Sequence, residues 1–348
     1  MAIKRPAPGY ARGVALYDTI ADLELRVDGY DLERASVDVS TGFTRVTTTA
    51  VLHGGGERGQ GEDVAYAADD HADFPAALSL AGVRTLREHS ALLDAQTLYS
   101  HEPAEAAAHD YRRWALESAA LDLALRQAGL SLAQAVGRTA RPVRFVASTR
   151  ADVSGWIAAD PTLEFKLDPE PSWDAGTIAR LAATGRVRVL DLKAYYRGTV
   201  VELPADPDFY RAIVAGFPDA VIEDAWLEGE AREALRGAED RLSFDAPVHS
   251  LADVDALAVS PRWLNIKPSR FGTIERLCEC IEACEARGVR MYGGGQFELG
   301  VGRRQIQVLA SVFYPDTPND VAPAVYNEGD PRPGLPRSPL PAQDAVGF

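Results

Sequence analysis

Long apolar stretches are missing from this chain: no run of about eighteen apolar residues occurs among its 348, so no segment reads as a membrane-spanning helix. Met1-Ala2-Ile3-Lys4-Arg5-Pro6 is not followed by the apolar core of a secretory leader. The expectation is a soluble, cytoplasmic protein. Cysteine is scarce, and Cys278, Cys280 and Cys284 all fall in one helical run, 273–287. Cys280 and Cys284 share a face, yet no histidine or fourth ligand accompanies them, so they read as buried thiols rather than a metal site. Positive charge is the minority, with 36 basic against 51 acidic residues and a formal net charge of −15. That balance repels nucleic acid and anionic membrane surfaces. No G-x-S-x-G elbow exists, so His53-Gly54-Gly55-Gly56 is not the oxyanion loop of a serine hydrolase.

What is present is the composition of a folded protein with a large core, 46% hydrophobic and 25% charged. Only the last twenty or so residues read as poorly ordered. The length exceeds one average domain, and an α/β barrel of about 200 to 250 residues would leave room for a smaller companion. Alternating patterns over 20–26, 34–39 and 44–52 predict a half-buried antiparallel meander. Residues 54–64 predict a glycine-rich turn and return strand able to close over a ligand. Helical periodicity covers 74–93 and 104–135. Pro142 marks the passage to the next domain. The division is therefore an α+β domain over 1–138, a barrel over 139–325 and an extended tail over 326–348, its five prolines carrying it across a neighbouring surface.

Between 187 and 292, apolar segments end repeatedly in a charged residue before a helical run: Asp191, Glu223, Asp245 and Lys267. Strands alternating with helices indicate a parallel sheet, and the C-terminal ends of barrel strands carry the chemistry. Earlier strands are expected at 143–148 and 163–168. Adjacent strands lie roughly 4.8 Å apart, so Asp191, Glu223 and Asp245 at one level converge on a hard cation, with Mg²⁺ the natural choice. Without one, the like charges would raise one another's pKa. Lys267 stands on the next strand, placed to give or take a proton. Alternation puts Asp191, Lys193 and Tyr195 on one face, and Lys166 and Asp168 on another shared face.

These residues resemble the enolase superfamily. Asp191, then Ile222-Glu223-Asp224, then Phe244-Asp245, then Asn265-Ile266-Lys267-Pro268 are similar to its metal-ligand strands and lysine strand; Gly293-Gly294-Gly295-Gln296-Phe297-Glu298 is similar to its seventh-strand region. The resemblance covers nearly the whole chain. It implies a modified (β/α)7β TIM-type barrel with an N-terminal α+β capping domain. It further implies Mg²⁺, a small carboxylic acid substrate, an enediolate formed by removal of the proton α to the carboxylate, and a symmetric homo-oligomer. Lys267 resembles the muconate-lactonizing and o-succinylbenzoate-synthase branch; no histidine in 289–300 supports the mandelate-racemase branch.

One departure stands out. That branch carries Lys-x-Lys on its second strand, where this chain has Lys166-Leu167-Asp168. Lys193 is expected to take over as second acid/base, with Asp168 its ion-pair partner or a substrate contact; the alternative is a Lys193–Asp168 bridge without a catalytic part. Lys166 stays a candidate for proton transfer. Gln296 and Glu298 are expected at the pocket, although Glu298 could equally cap the following helix. Asp320 belongs to an eighth strand or to a turn. By resemblance, Tyr17 and the 54–61 loop supply specificity. Racemisation or epimerisation, cycloisomerisation and β-elimination of water all remain open. So do a sugar-acid dehydratase and a metal-bound ligand-binding protein that has lost turnover.

Overall fold

A computed structural model describes residues 15–40, 43–150, 152–199, 201–328 and 330–348; the expectation drawn from residues 1–6 lies outside them. Threonine and valine dominate β3 (Phe43–Gly54), and such residues suit a pleated, half-buried surface. It pairs antiparallel with β2 (Gly29–Ser40) and β4 (Glu57–Asp63). A separate two-stranded ladder joins β1 (Glu24–Val27) to β5 (Gly82–Thr85). Four helices complete this region: α1 (Ala68–Ala72), α2 (Leu86–Asp94), α3 (Ala108–Ala128) and α4 (Leu132–Ala135).

The glycine-rich turn and return strand expected over 54–64 are present as the β3–β4 hairpin. Gly55 and Gly56 turn the hairpin at φ +60° and +85°. Gly59 and Gly61 lie within β4 against α3, where a Cβ would come within 2.3 Å of the Ala119 carbonyl oxygen and 2.0 Å of that of Ala115. They are small because helix and sheet touch there. The expected helix over 74–93 begins only at Leu86, where Thr85 and Glu88 make a reciprocal capping box. The longer helical run splits in two. Gly129, at φ +69°, ends α3, and the Ser131–Gln134 capping box starts α4.

Seven parallel strands follow, each hydrogen-bonded to the next in chain order. They are β6 (Ala147–Thr149), β7 (Phe165–Leu167), β8 (Val187–Asp191), β9 (Val221–Glu223), β10 (Leu242–Phe244), β11 (Trp263–Ile266) and β12 (Arg290–Gly293). Burial on both faces explains their nearly continuous apolar sequences. Between and after them run α5 (Ser154–Ala159), α6 (Ala175–Ala183), α7 (Pro207–Gly216), α8 (Gly229–Ala234), α9 (Leu251–Ala256), α10 (Pro268–Phe271), α11 (Ile274–Arg287) and α12 (Val301–Phe313). In place of a regular eighth strand, residues 319–320 link the last strand to the first. The Asp320 N–H donates to the Gly293 carbonyl (2.8 Å), and the Val146 N–H donates to that of Asn319 (2.8 Å).

The first barrel strand starts later than its apolar run, because Val143 is bridged antiparallel to Leu340 of the tail. That tail does not end on the surface: Phe348 is fully buried, edge-on to Trp114 of α3 at 6.2 Å. Its N–H donates to Asp122 (2.7 Å). Cys278, Cys280 and Cys284 are buried free thiols on α11. Among the described residues no helix is long and apolar enough to cross a membrane.

Candidate active site

The C-terminal ends of five neighbouring strands carry the charged residues inward. Asp191 and Glu223 end β8 and β9 and are register partners; Asp245 and Lys267 follow β10 and β11 directly, and Lys166 is central in β7. All are buried, the three carboxylates to within 1% of full burial. Charges so far from water persist only in mutual contact.

Lys166 Nζ lies 2.7 Å from Glu223, 3.3 Å from Asp191 and 3.5 Å from Asp320. Glu223 also accepts from Asn265 Nδ2 (3.1 Å) and the Tyr292 hydroxyl (2.5 Å). Lys193 donates to Asp191 through its ammonium and, at 3.2 Å, through its own backbone N–H, while its Nζ stands 3.5 Å from Asp168. Lys267 holds Asp245 at 2.8 Å, and Arg270 approaches the other Asp245 oxygen at 3.0 Å. Tyr196 closes this second group: its hydroxyl donates to Asp245 (3.2 Å) and accepts from Arg270 (3.0 Å). The same phenol ring lies 5.3 Å from Lys193 Nζ, so it stands between two lysines.

Electrostatics follow from these contacts. Burial works against the charge of Lys193 and Lys267, but Asp191 with Asp168, and Asp245, hold the two ammonium groups above the usual lysine range. Burial likewise opposes ionisation of Asp245, yet Arg270 and Lys267 bring it down to about 2. Glu223 goes the other way: burial lifts it to about 8 against the pull of Lys166, with Asp191, Asp245 and Asp224 adding repulsion.

Beyond the strand ends, strict alternation stops. Lys193 has φ +52°, so a left-handed turn, not the pleat, folds it back on Asp191. Tyr195, expected on the same face, instead packs against Trp226 at 5.8 Å, and Tyr196 takes the inward place. Asp224, also at φ +52°, was not anticipated. The three carboxylates that converge most closely are Asp191, Glu223 and Asp224, each offering an oxygen within 4.8 Å of the others. Asp245 is drawn instead to Lys267 and Arg270.

Gln296 sits behind Arg270. With its amide oriented to satisfy both ends, its oxygen accepts from Arg270 Nε (2.8 Å) and Tyr111 (3.0 Å), and its nitrogen donates to Tyr66 (3.1 Å). Glu298 accepts the Gln296 N–H (2.6 Å) and faces Arg303 at 3.5 Å. It does not cap α12. That role falls to Glu62 of β4, which accepts the N–H groups of Leu299, Gly300 and Gly302 at 2.8 to 2.9 Å. Arg45 of β3, also fully buried, donates to the carbonyls of Val64, Ala65, Gln296 and Phe297. Two residues of the N-terminal region thus fix the 296–302 segment, and sequence reading missed both. Tyr17 lies elsewhere, against α11 with Arg87 over its ring at 5.1 Å.

A hollow of about 630 Å³ lies between the α2–α3 connection and the start of α11. Its arginines are paired, Arg113 with Asp94 and Glu117, Arg276 with Asp110, and it holds no lysine. At the strand ends the partly exposed side chains are Lys193, Asp168 and Asp320, at 15%, 17% and 18%. They mark the side open to a small molecule.

The donor set suits a hard divalent cation. Carboxylate oxygens are its preferred ligands, and Asp224 has no cationic side chain among the described residues, its oxygens accepting only the N–H groups of Asp245 (2.8 Å) and Ala246 (3.0 Å). Burial, with Asp245 and Asp191 adding, lifts Asp224 to about 7. Glu223 is raised likewise, chiefly by burial, so both carboxylates would gain from a cation beside them.

Comparison with known proteins adds likenesses of three kinds. The family described as "Domain of unknown function (DUF8230) C-terminal domain" matches residues 139–328, and its N-terminal-domain counterpart matches 18–135. An N-succinylamino acid racemase from Amycolatopsis sp. is 26% identical over 227 residues, 62% of this chain and 61% of the racemase. The chain thus spans less than two thirds of that relative. Among solved structures, an unknown member of the enolase superfamily from Enterococcus faecalis V583 aligns with a TM-score of 0.67 at 19% identity over 87% of each chain. A dipeptide epimerase from Methylococcus capsulatus, complexed with Mg ion, aligns with a TM-score of 0.67 at 16% identity over 93% of this chain and 99% of that one. These two structural likenesses show the fold.

Proposed function

The chain belongs to the DUF8230 family, within the enolase superfamily, and from that membership we propose that it is an enzyme removing the proton α to the carboxylate of a small organic acid. The observation that carries this reading is the meeting of Lys166, Lys193 and Lys267 with buried carboxylates at one end of a parallel barrel. Asp191, Glu223 and Asp224 would hold a divalent cation such as Mg²⁺, with Asp245 beside them bound to Lys267. When bound, the cation supplies positive charge against the negative charge that develops on the substrate carboxylate.

Lys267 and Lys193 are the proton-transfer pair in this reading. They come from two different strands of the ring, and Tyr196 between them keeps their ammonium groups apart. One takes the α-proton as a neutral amine, and the other, protonated, returns a proton to the carbanionic carbon. Lys166 acts through charge, holding Glu223 and Asp191 in place. Asp168 orients Lys193, and Arg270 with Gln296 faces the substrate's distal part. Because one relative is named a racemase and one structural neighbour an epimerase, racemisation or epimerisation is favoured; β-elimination of water from a hydroxy acid is the second reading.

The test is a panel of carboxylic acids, N-succinyl amino acids among them, incubated in D₂O with Mg²⁺ and followed by NMR. Wild type should place deuterium at the α-carbon. Lys267→Ala and Lys193→Ala should each lower exchange by about 10²- to 10⁴-fold. Exchange undiminished in Lys193→Ala would return that residue to a structural role. A keto acid accumulating would select elimination over racemisation.

A further inference from the structure

Only four lysines occur in the chain, against thirty-two arginines, and three of the four meet at the strand ends. Elsewhere cationic contacts are made by arginine. An ammonium is a compact point charge on a flexible stem, able to leave one carboxylate for another in a way a planar guanidinium fork is not.

Asp191 is held by two ammonium groups, and they differ in freedom. Lys166 is 2% exposed and bound among Glu223, Asp191 and Asp320. Lys193 is 15% exposed, sits on a left-handed backbone position and has a second acceptor within reach. That acceptor is Asp168, whose Oδ1 is buried without a hydrogen bond and lies 3.5 Å from Lys193 Nζ. Arg150 secures the other Asp168 oxygen at 3.2 Å. The carboxylate Asp191 would offer a cation is therefore already filled by a side chain with somewhere else to go.

We infer that Lys193 is the resident occupant of Asp191 and that a divalent cation binds by displacing its ammonium to Asp168. This rests on the reading of Asp191 as a metal ligand. Metal loading and release of Lys193 then become one event: the protein without metal keeps Lys193 withdrawn, and the loaded protein presents it at the open side. The linkage is reciprocal, since anything that draws Lys193 from Asp191 strengthens metal binding. It also gives Asp168 a task, that of receiving the displaced ammonium.

Isothermal titration with Mg²⁺ on wild type, Lys193→Met and Asp168→Asn tests this without any substrate. Lys193→Met should bind Mg²⁺ roughly tenfold more tightly or better, within the span of ordinary linked equilibria. Asp168→Asn should bind it several-fold more weakly. Should Lys193→Met fold poorly, wild type labelled with ¹³Cε-lysine suffices: four lysines give four signals, and that of Lys193 should shift with Mg²⁺ in step with site occupancy. Equal Mg²⁺ affinity in wild type and Lys193→Met, or a Lys193 signal unmoved at saturation, would overturn the inference and leave the metal site standing. Absence of Mg²⁺ binding in both proteins would overturn the inference and the metal reading together.

Discussion

Replacing Lys166 by Met asks how far the centre of the barrel is held by charge. Lys166 Nζ lies 2.7 Å from Glu223 and 3.3 Å from Asp191. At an effective dielectric constant of about 20, those contacts are worth roughly 6 and 5 kcal/mol before any cost is subtracted. Most of that offsets the loss of water around three charges that are at most 2% exposed. Breaking the group on one side costs about 3 to 5 kcal/mol, as for a buried pair that loses one partner. Glu223 can limit the damage by taking up a proton, because burial already lifts it to about 8. The expected loss is therefore near the lower end, about 3 kcal/mol. Urea unfolding at about pH 9 with EDTA, where Glu223 is ionised in the wild type, would report it as a lowered midpoint at unchanged slope. Lys166→Met combined with Glu223→Gln should recover a good part of the loss, because the orphaned charge is then gone. A Lys166→Met protein within about 1 kcal/mol of wild type would refute the reasoning, since nothing else described could replace that ammonium at both carboxylates.

Three more perturbations reach other parts of the argument. Burial, helped by Arg84 and Arg113, brings buried His89 down to about 4 from an ordinary 6.5, so between those values the unfolded chain binds the extra proton. Stability falls as pH drops through that window, by about 2 kcal/mol at pH 5, and His89→Gln or His89→Phe should show a shallower pH dependence in urea unfolding; parallel slopes would sink the assignment. Phe348→Ala removes a ring buried against Trp114 and should lower stability by about 3 to 5 kcal/mol, a loss under about 1 kcal/mol meaning that the tail is not anchored there. Arg45→Met takes the donor from the carbonyls of Val64, Gln296 and Phe297, while that of Ala65 keeps His71 Nε2 (2.9 Å), at about 1 to 3 kcal/mol per buried orphan; amide hydrogen exchange over 296–302 should speed at least tenfold, and unchanged protection would show that Glu62 alone holds the segment.

Strand ends were legible because a parallel barrel makes them so. Each strand is buried on both faces and reads as an apolar run, so the first charge after it, whether Asp191, Glu223, Asp245 or Lys267, stands out. Two features blurred the reading one residue further on. Glu223 is followed at once by Asp224, which period-two alternation would point away from Glu223's side, yet its left-handed φ turns it inward beside Asp191. Likewise the pleat predicts Tyr195 on the face of Asp191, but β8 has ended, and the turn at Lys193 hands the inward place to Tyr196. Period-two reasoning holds only while the ladder lasts. Arg45 and Glu62 were illegible for a different reason: their partners in 296–302 lie more than 230 residues away along the chain, and no local pattern marks such a contact.

The same contrast explains why the second-strand departure could be noticed but not interpreted from sequence. Lys166-Leu167-Asp168 reads as a lysine lost and an acid gained, a change of two charge units. In three dimensions Lys193 supplies one positive charge from the neighbouring strand, 3.5 Å from Asp168, and Arg150 pairs with the acid at 3.2 Å. The ammonium thus enters the site from a different strand. Each keeps a second partner, Arg150 for Asp168 and Asp191 for Lys193, so truncating either one alone leaves no ion unpaired. Reversing the charge at 168 alone does, and it should be tolerated better when the ammonium at 193 is removed with it. Asp168→Lys with Lys193→Asn, made together, should retain more Mg²⁺ binding and more thermal stability than Asp168→Lys alone, in which three lysines crowd Asp191. A double variant no better than that single one, in melting temperature and in titration alike, would show that the two side chains answer to separate constraints.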